Sequence, residues 1–208
     1  MYKGIIFDMD GVLADSEGYY ASRREEYLDL IGYRRQENTD FTGSNEKALW
    51  ETMVPDDLEL RQELFMGYRA YRRFHPVPYR ELMDPQVGPL FRTLRERGLK
   101  IGIASSSAPK AIAALVQAAE VETLVDCRIS GEECSAHKPA PEIYLRTLEV
   151  LGLSADEALA VEDSPTGILS AKRAGLTVLA LRPRHGESLD QSKADVVICQ
   201  LMDVLHYL

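Results

Sequence analysis

Basic residues are in the minority in this chain. Lys and Arg number 24 against 33 Asp and Glu over 208 residues, a formal net charge of −9 and a pI of about 5.0. General binding to nucleic acid or to an anionic membrane needs a basic face, and this balance argues against both. Cysteine is scarce as well. Cys127, Cys134 and Cys199 are odd in number and lack C-x-x-C spacing, which fits neither a disulfide framework nor a zinc site. Free thiols in a reducing cytoplasm are the expectation. No stretch approaches a transmembrane span, and no internal repeat or low-complexity tract occurs. Lys3-Gly4-Ile5-Ile6-Phe7 begins an apolar run so early that no signal peptide is expected. The length suits one core domain with an insertion, burying roughly 70% of the unfolded surface.

A strand pattern is also missing from about Ser16 to Arg80. Helical periods dominate there: Tyr19 to Ile31, Asn45 to Met53, and a third stretch from Pro55-Asp56-Asp57 toward Phe74, closed by His75-Pro76-Val77-Pro78. Elsewhere short apolar runs alternate with helical stretches. The runs are Lys3–Phe7, Leu99–Ala104, Ala158–Val161, Leu176–Leu181 and Ala194–Cys199. The helices fall near Gln86–Arg97, Pro109–Ala119, Pro141–Leu151 and Pro165–Ala174. Such alternation predicts an α/β fold, a doubly wound, mostly parallel sheet with helices on both faces. Residues 1–15 and 81–208 would form this core, with 16–80 inserted as a helical cap after the first strand.

Four of the expected strand or loop exits carry chemistry-bearing residues. Asp8-Met9-Asp10-Gly11 follows the first run, where an open α/β sheet places its site. Two carboxylates so close in a water-poor cleft repel each other, and a divalent cation is the usual remedy; an ordinary turn would use the same residue types. Ser105-Ser106-Ser107 follows the second run and precedes a helix, a phosphate cradle or a plain helix cap. Lys138 stands just before a proline-started helix, where a solvated lysine is equally at home. Glu162-Asp163-Ser164 ends the run at Ala158–Val161 and again could cap a helix. Four coincidental turns and caps in one chain are less plausible than one shared site.

With Asp8, Asp10, Ser105, Lys138 and the pair Glu162-Asp163 in this order, the chain resembles the haloacid dehalogenase-like hydrolase superfamily. The resemblance lies in the group of β-phosphoglucomutase and the small-sugar phosphatases, and rests on FDMDGVLADSE, IASSS, KPAPEIY and VEDSPTGI. It implies a Rossmann-like core and phosphoryl transfer. Asp8 would be the nucleophile, forming an aspartyl-phosphate, and Asp10 the general acid and then base. Lys138 would bridge Asp8 and the phosphoryl group. Ser105, with the N–H groups of Ser106 and Ser107, would hold the remaining phosphoryl oxygens. Mg2+ would sit on Asp8, the Asp10 carbonyl and Asp163, with Glu162 beside it directly or through water.

Substrate choice is expected in the cap, where the chain departs from the sugar mutase. The mutase's phosphate-gripping arginine after a glycine is matched by Glu46 after Gly43, with Lys47 next door, and its histidine after the first motif by Tyr20. Asp10 speaks against the Schiff-base phosphonate hydrolases and the metal-free dehalogenases of the superfamily, both of which lack it. The expectation is a cytoplasmic, monomeric, Mg2+-dependent phosphatase of a small phosphorylated metabolite, a sugar phosphate first. A hexose phosphate mutase is the alternative. From another class, a phosphorelay receiver or a non-catalytic binder of a phosphometabolite remains; Asp8 on the first strand, Asp10 and the cap oppose the receiver.

Overall fold

The computed structural model describes residues 1–34, 46–184 and 188–208, without the side chains of 46–48. The chain divides into two compact units, Met1–Asp15 with Tyr79–Leu208, and Ser16–Pro78.

The first unit is built on six parallel strands: β1 (Gly4–Phe7), β2 (Lys100–Ser105), β3 (Cys127–Ser130), β4 (Ala158–Glu162), β5 (Thr177–Leu181) and β6 (Val196–Ile198). Their order is β3-β2-β1-β4-β5-β6, with Phe7 level with Ile103 on one side and Val161 on the other. β1 and β4 are buried along their whole length, as central parallel strands covered on both faces must be. Successive residues of a strand face opposite sides, and β1 shows it. Ile6 joins a cluster with Tyr144, Leu148 and Ile168, while the Phe7 ring lies 5.0 Å from Phe91. Sequence order and parallel pairing therefore place a helix layer on each face.

Helices of this unit begin and end by local chemistry. α6 (Pro109–Ala118) and α8 (Pro165–Arg173) open on proline, which lacks only an N–H that the first turn cannot use. Ser164 caps α8 by accepting from the Gly167 N–H at 3.1 Å. α7 (Glu142–Leu151) stops at Gly152 in the left-handed conformation, φ +63°. α5 (Val87–Glu96) packs on β2, and α7 packs on β2 and β3.

Two features differ from the sequence reading. β3 had no apolar run to announce it: it is an edge strand whose Arg128 is exposed between buried Cys127 and Ile129. Tyr79 and Arg80, assigned to the helical segment from sequence, open a one-turn helix α4 (Tyr79–Leu82) in the first unit. The cysteines are free, and burial pushes the Cys127 thiol up to about 11.

The second unit contains α1 (Glu17–Leu30), α2 (Glu46–Met53) and α3 (Leu58–Tyr71). Asp57 caps α3 through the Leu60 N–H at 2.9 Å. Tyr27, Leu28, Trp50, Leu64 and Tyr68 form its core, with the Trp50 and Tyr68 rings 5.6 Å apart. No helix among the described residues is long and apolar enough to cross a membrane.

Candidate active site

Asp8 follows the last residue of β1, and its N–H still donates to the Val161 carbonyl of β4 at 2.9 Å. The chain then turns sharply. The Leu13 and Ala14 N–H groups both donate to the Met9 carbonyl, at 2.8 and 3.0 Å, and the Gly11 N–H to the Ala14 carbonyl at 2.8 Å. Gly11 has φ +81°, and a Cβ there would lie 1.9 Å from Asp163 Oδ2. Only glycine lets this loop pass so close to the acid at the end of β4.

Lys138 comes from the segment ahead of α7 and reaches the ends of β2, β1 and β4. Its Nζ donates to Asp8 Oδ1 at 2.6 Å, Glu162 Oε1 at 2.5 Å and the Ala104 carbonyl at 3.1 Å, using all three ammonium protons. Its side chain is 6% exposed. The Lys138–Pro139 peptide bond is cis. Glu162 is fully buried. Its Oε1 also accepts from the Tyr144 hydroxyl at 2.6 Å, and its Oε2 from the Asp163 N–H at 3.2 Å. A Cβ on Gly167 would lie 2.0 Å from the Glu162 carboxylate, so the first turn of α8 closes directly over it.

The electrostatics of this cluster are unbalanced. Burial pushes the Asp8 carboxyl well above its usual 3.8; Lys138 pulls it down, while Glu162, Asp163 and Asp10 push it up further. Burial disfavours the Lys138 ammonium, but Asp8 and Glu162 outweigh it by charge and hydrogen bonding and hold the amine protonated above its usual range. Burial and then Glu162 push the Tyr144 hydroxyl well above 10.0. Asp8, Glu162 and Asp163 each offer an oxygen within 4.8 Å of the others, and all three are buried. Three carboxylates thus crowd together, and Lys138 pairs with two of them. An oxygen-only donor set short of positive charge suits a hard divalent cation such as Mg2+.

The end of β2 and the loop after it supply hydroxyls. Ser105 is fully buried; its Oγ accepts from the Ser107 N–H at 3.0 Å. Ser107 Oγ donates to Asp10 Oδ2 at 2.7 Å, and Ser105 Oγ reaches the same oxygen at 3.5 Å. Ser106 is exposed between them. Asp8, Lys138, Glu162 and Asp163 thus form one cluster and Asp10, Ser105 and Ser107 a second, with the Asp10 charge acting on Asp8. Tyr20 lies in the second unit, its ring 5.4 Å from the Arg23 guanidinium carbon. Gly43 and the side chains of Glu46 and Lys47 lie outside the described residues.

Several residues of the site were not singled out from sequence. Tyr144 reads as one more apolar position of a helix. Gln191 ties Asp163 to β5, donating from Nε2 to the Asp163 carbonyl at 2.8 Å and the Leu181 carbonyl at 2.7 Å. Nothing around Gln191 in the sequence signals this. Gly167 lies within VEDSPTGI and Tyr144 ends KPAPEIY, so both have a local cue in those motifs.

Comparison with known proteins gives a consistent picture. The family described as haloacid dehalogenase-like hydrolase matches residues 2–175. A phosphoglycolate phosphatase of Aquifex aeolicus is 30% identical over 181 residues, covering 85% of this chain and 84% of that protein. A validoxylamine A 7'-phosphate phosphatase of Streptomyces hygroscopicus subsp. limoneus is 28% identical, covering 98% and 96%. Among solved structures, β-phosphoglucomutase from Clostridium difficile shares the fold with a TM-score of 0.79 at 18% identity, covering 99% of this chain and 96% of that one.

Proposed function

The chain belongs to the haloacid dehalogenase-like hydrolases, and from that premise we propose that it is a Mg2+-dependent phosphatase of a small phosphorylated metabolite, a sugar phosphate first, working through an aspartyl-phosphate. One observation carries this reading: a buried carboxylate at the end of β1, Asp8, touches Lys138 at 2.6 Å, with a second carboxyl, Asp10, two residues on. Curated relatives named as phosphatases of phosphoglycolate and of validoxylamine A 7'-phosphate support hydrolysis of a small phosphate ester.

In this reading an Asp8 oxygen attacks phosphorus, the P–O bond to the alcohol breaks, and Asp10 gives its proton to the departing oxygen. Asp10 then takes a proton from the water that attacks the same phosphorus, breaking the bond to Asp8 and releasing phosphate. Lys138 screens Asp8 from the incoming phosphoryl charge, and Ser105 with the Ser106 N–H receives the phosphoryl oxygens, while the Ser107 N–H, expected from sequence to join them, is engaged by Ser105 Oγ. Asp8, the Asp10 carbonyl and Asp163 would hold Mg2+, with Glu162 beside it. Bound Mg2+ supplies the positive charge that keeps Asp8 ionised and offsets phosphate repulsion. The unit Ser16–Pro78 is read as the substrate-selecting cap.

The test is a panel of phosphate esters, including phosphoglycolate and hexose phosphates, assayed for free phosphate with Mg2+ and with EDTA. Turnover that EDTA removes and Mg2+ restores is expected. Full activity in chelator would refute the metal site, and no turnover of any ester would leave a binding protein. Glucose 6-phosphate appearing from β-glucose 1-phosphate faster than free phosphate would assign a mutase instead.

A further inference from the structure

Ser130, the last residue of β3, has a hydrogen-bonding pattern that an ordinary helix cap does not require. Its N–H donates to Glu133 Oε2 at 2.9 Å and its Oγ accepts from the Glu132 N–H at 3.1 Å, which closes a capping box on the short 3-10 turn 131–133. A hydroxyl has one proton besides its lone pairs, and capping leaves that proton unassigned. In Ser130 it goes to the Ser107 carbonyl at 2.7 Å. Ser130 is 1% exposed, so water cannot easily replace this partner. The neighbouring backbones are equally close: Ser130 is level with Ser105 across β2 and β3, and a Cβ on Gly131 would lie 3.1 Å from Ser106 Cα.

Ser107 is thereby held at both backbone groups, its carbonyl by Ser130 and its N–H by Ser105 Oγ at 3.0 Å. A residue fixed this way has a fixed side-chain aim, and Ser107 Oγ donates to Asp10 Oδ2 at 2.7 Å. We propose that Ser130 is a positioning residue for the proton-transferring carboxyl: β3, through Ser130 and Ser107, sets where Asp10 stands. The proposal rests on the hydrolytic reading above and adds a residue to it. Glu133, in turn, fixes Ser130 from outside the site. Placement matters here because displacements of about 1 Å in a reacting group can cost on the order of a hundredfold in rate.

A role through Asp10 differs from a merely structural one in its dependence on the leaving group. An alkyl phosphate releases an alkoxide that needs the proton, whereas p-nitrophenyl phosphate releases a stable phenolate that does not. kcat/KM reports only steps through the first P–O cleavage, so it isolates the acid role. Ser130→Ala should lower kcat/KM for glycerol phosphate by about tenfold, the loss expected from one misdirected hydrogen bond. For p-nitrophenyl phosphate the loss should stay under about threefold. Ser107→Ala should show the same split. Equal losses on both esters, or no loss on either, would overturn the proposal. A second readout needs no turnover: the side-chain carboxyl 13C resonance of Asp10, assigned by its disappearance in Asp10→Asn. It should move in Ser130→Ala, and an unmoved resonance in a folded variant also overturns the proposal. Absence of wild-type turnover would count against the hydrolytic reading alone, because the resonance test would still decide the contact chain.

Discussion

At the exits of β1 and β4 three buried carboxylates crowd together and two of them pair with Lys138, whereas inside Ser16–Pro78 the buried guanidinium of Arg23 is satisfied by its own unit. Arg23 donates from Nε to the Tyr68 hydroxyl at 3.3 Å and from Nη1 to the His75 carbonyl at 2.8 Å. Its guanidinium carbon lies 5.4, 5.4 and 5.7 Å from the rings of Tyr19, Tyr20 and Tyr68. Both arrangements bury charge, and burial of charge is costly unless it is compensated. The guanidinium is compensated by neutral acceptors and ring faces, which is what a structural cation needs. The carboxylates have donors too, but Asp8, Glu162 and Asp163 also bring like charges within 4.8 Å of one another, which is what a site that takes a cation presents. Buried like charges gathered together, rather than buried charge as such, separate the candidate site from the surroundings of Arg23.

The largest expected effect tests the reactive side of that contrast. Asp8→Asn is nearly isosteric but a poor nucleophile, so kcat should fall by at least ~10³-fold, about 4 kcal/mol of barrier, with the far-UV circular dichroism unchanged. A variant keeping more than about a tenth of wild-type kcat, a deficit under roughly 1.4 kcal/mol, would break the covalent mechanism. Next comes Lys138→Met, which strips Asp8 and Glu162 of the ammonium they share. Its unfolding free energy in EDTA should drop by about 3–5 kcal/mol, and saturating Mg2+ should recover part of the loss by binding the folded state. Denaturant midpoints equal to wild type in EDTA would mean that the acids do not repel.

Arg23→Met sharpens the comparison from the other unit. It removes the donors that Arg23 supplies to the Tyr68 hydroxyl and the His75 carbonyl and should cost about 1–3 kcal/mol. Mg2+ should not change that figure, and a Mg2+-dependent loss would erase the distinction drawn here. The smallest effect is expected at the exposed Lys3–Glu157 pair. The Lys3 hydrogen bond, then the Ser154 backbone and hydroxyl, hold the Glu157 carboxyl at about 2 against its usual 4.5. A carboxyl lowered by folding contributes fully above 4.5 and loses that contribution as pH falls toward 2. Glu157→Gln should therefore flatten the stability–pH curve only in this window, slightly, because the pair is solvent-screened. An unchanged slope would show the pair to be energetically silent.

Legibility in the sequence followed locality. The central strands are readable because burial on both faces forces continuous apolar runs such as Ile5-Ile6-Phe7 and Ala158-Leu159-Ala160-Val161. Edge strand β3 escapes because one exposed residue, Arg128, interrupts a run of only four. Asp8, Asp10, Lys138 and Glu162-Asp163 stand out because acids, lysine and glycine at strand and loop exits contrast with their apolar surroundings. Tyr144 and Ser130 do not, since a tyrosine in an amphipathic helix and a serine before a turn have ordinary local explanations. The Gly43–Lys47 reading of substrate choice falls on residues whose side chains are not described, and it stands as an expectation.

By itself the sequence determined the alternation of strands and helices, the insertion of a helical stretch after β1, and the residue types gathered at the strand exits. Those properties follow from periodicity and from local turn and cap chemistry, which act over a few residues. Only the tertiary structure decided that Lys138 would place its three protons on Asp8, Glu162 and Ala104, residues 130, 24 and 34 positions away along the chain. It also decided that Gly11 would let Asp163 approach and that Ser130 would reach Asp10 through Ser107. The physical reason is that parallel strands joined by helical crossovers bring distant exits to one edge of the sheet, where buried polar atoms must find partners in space rather than in sequence.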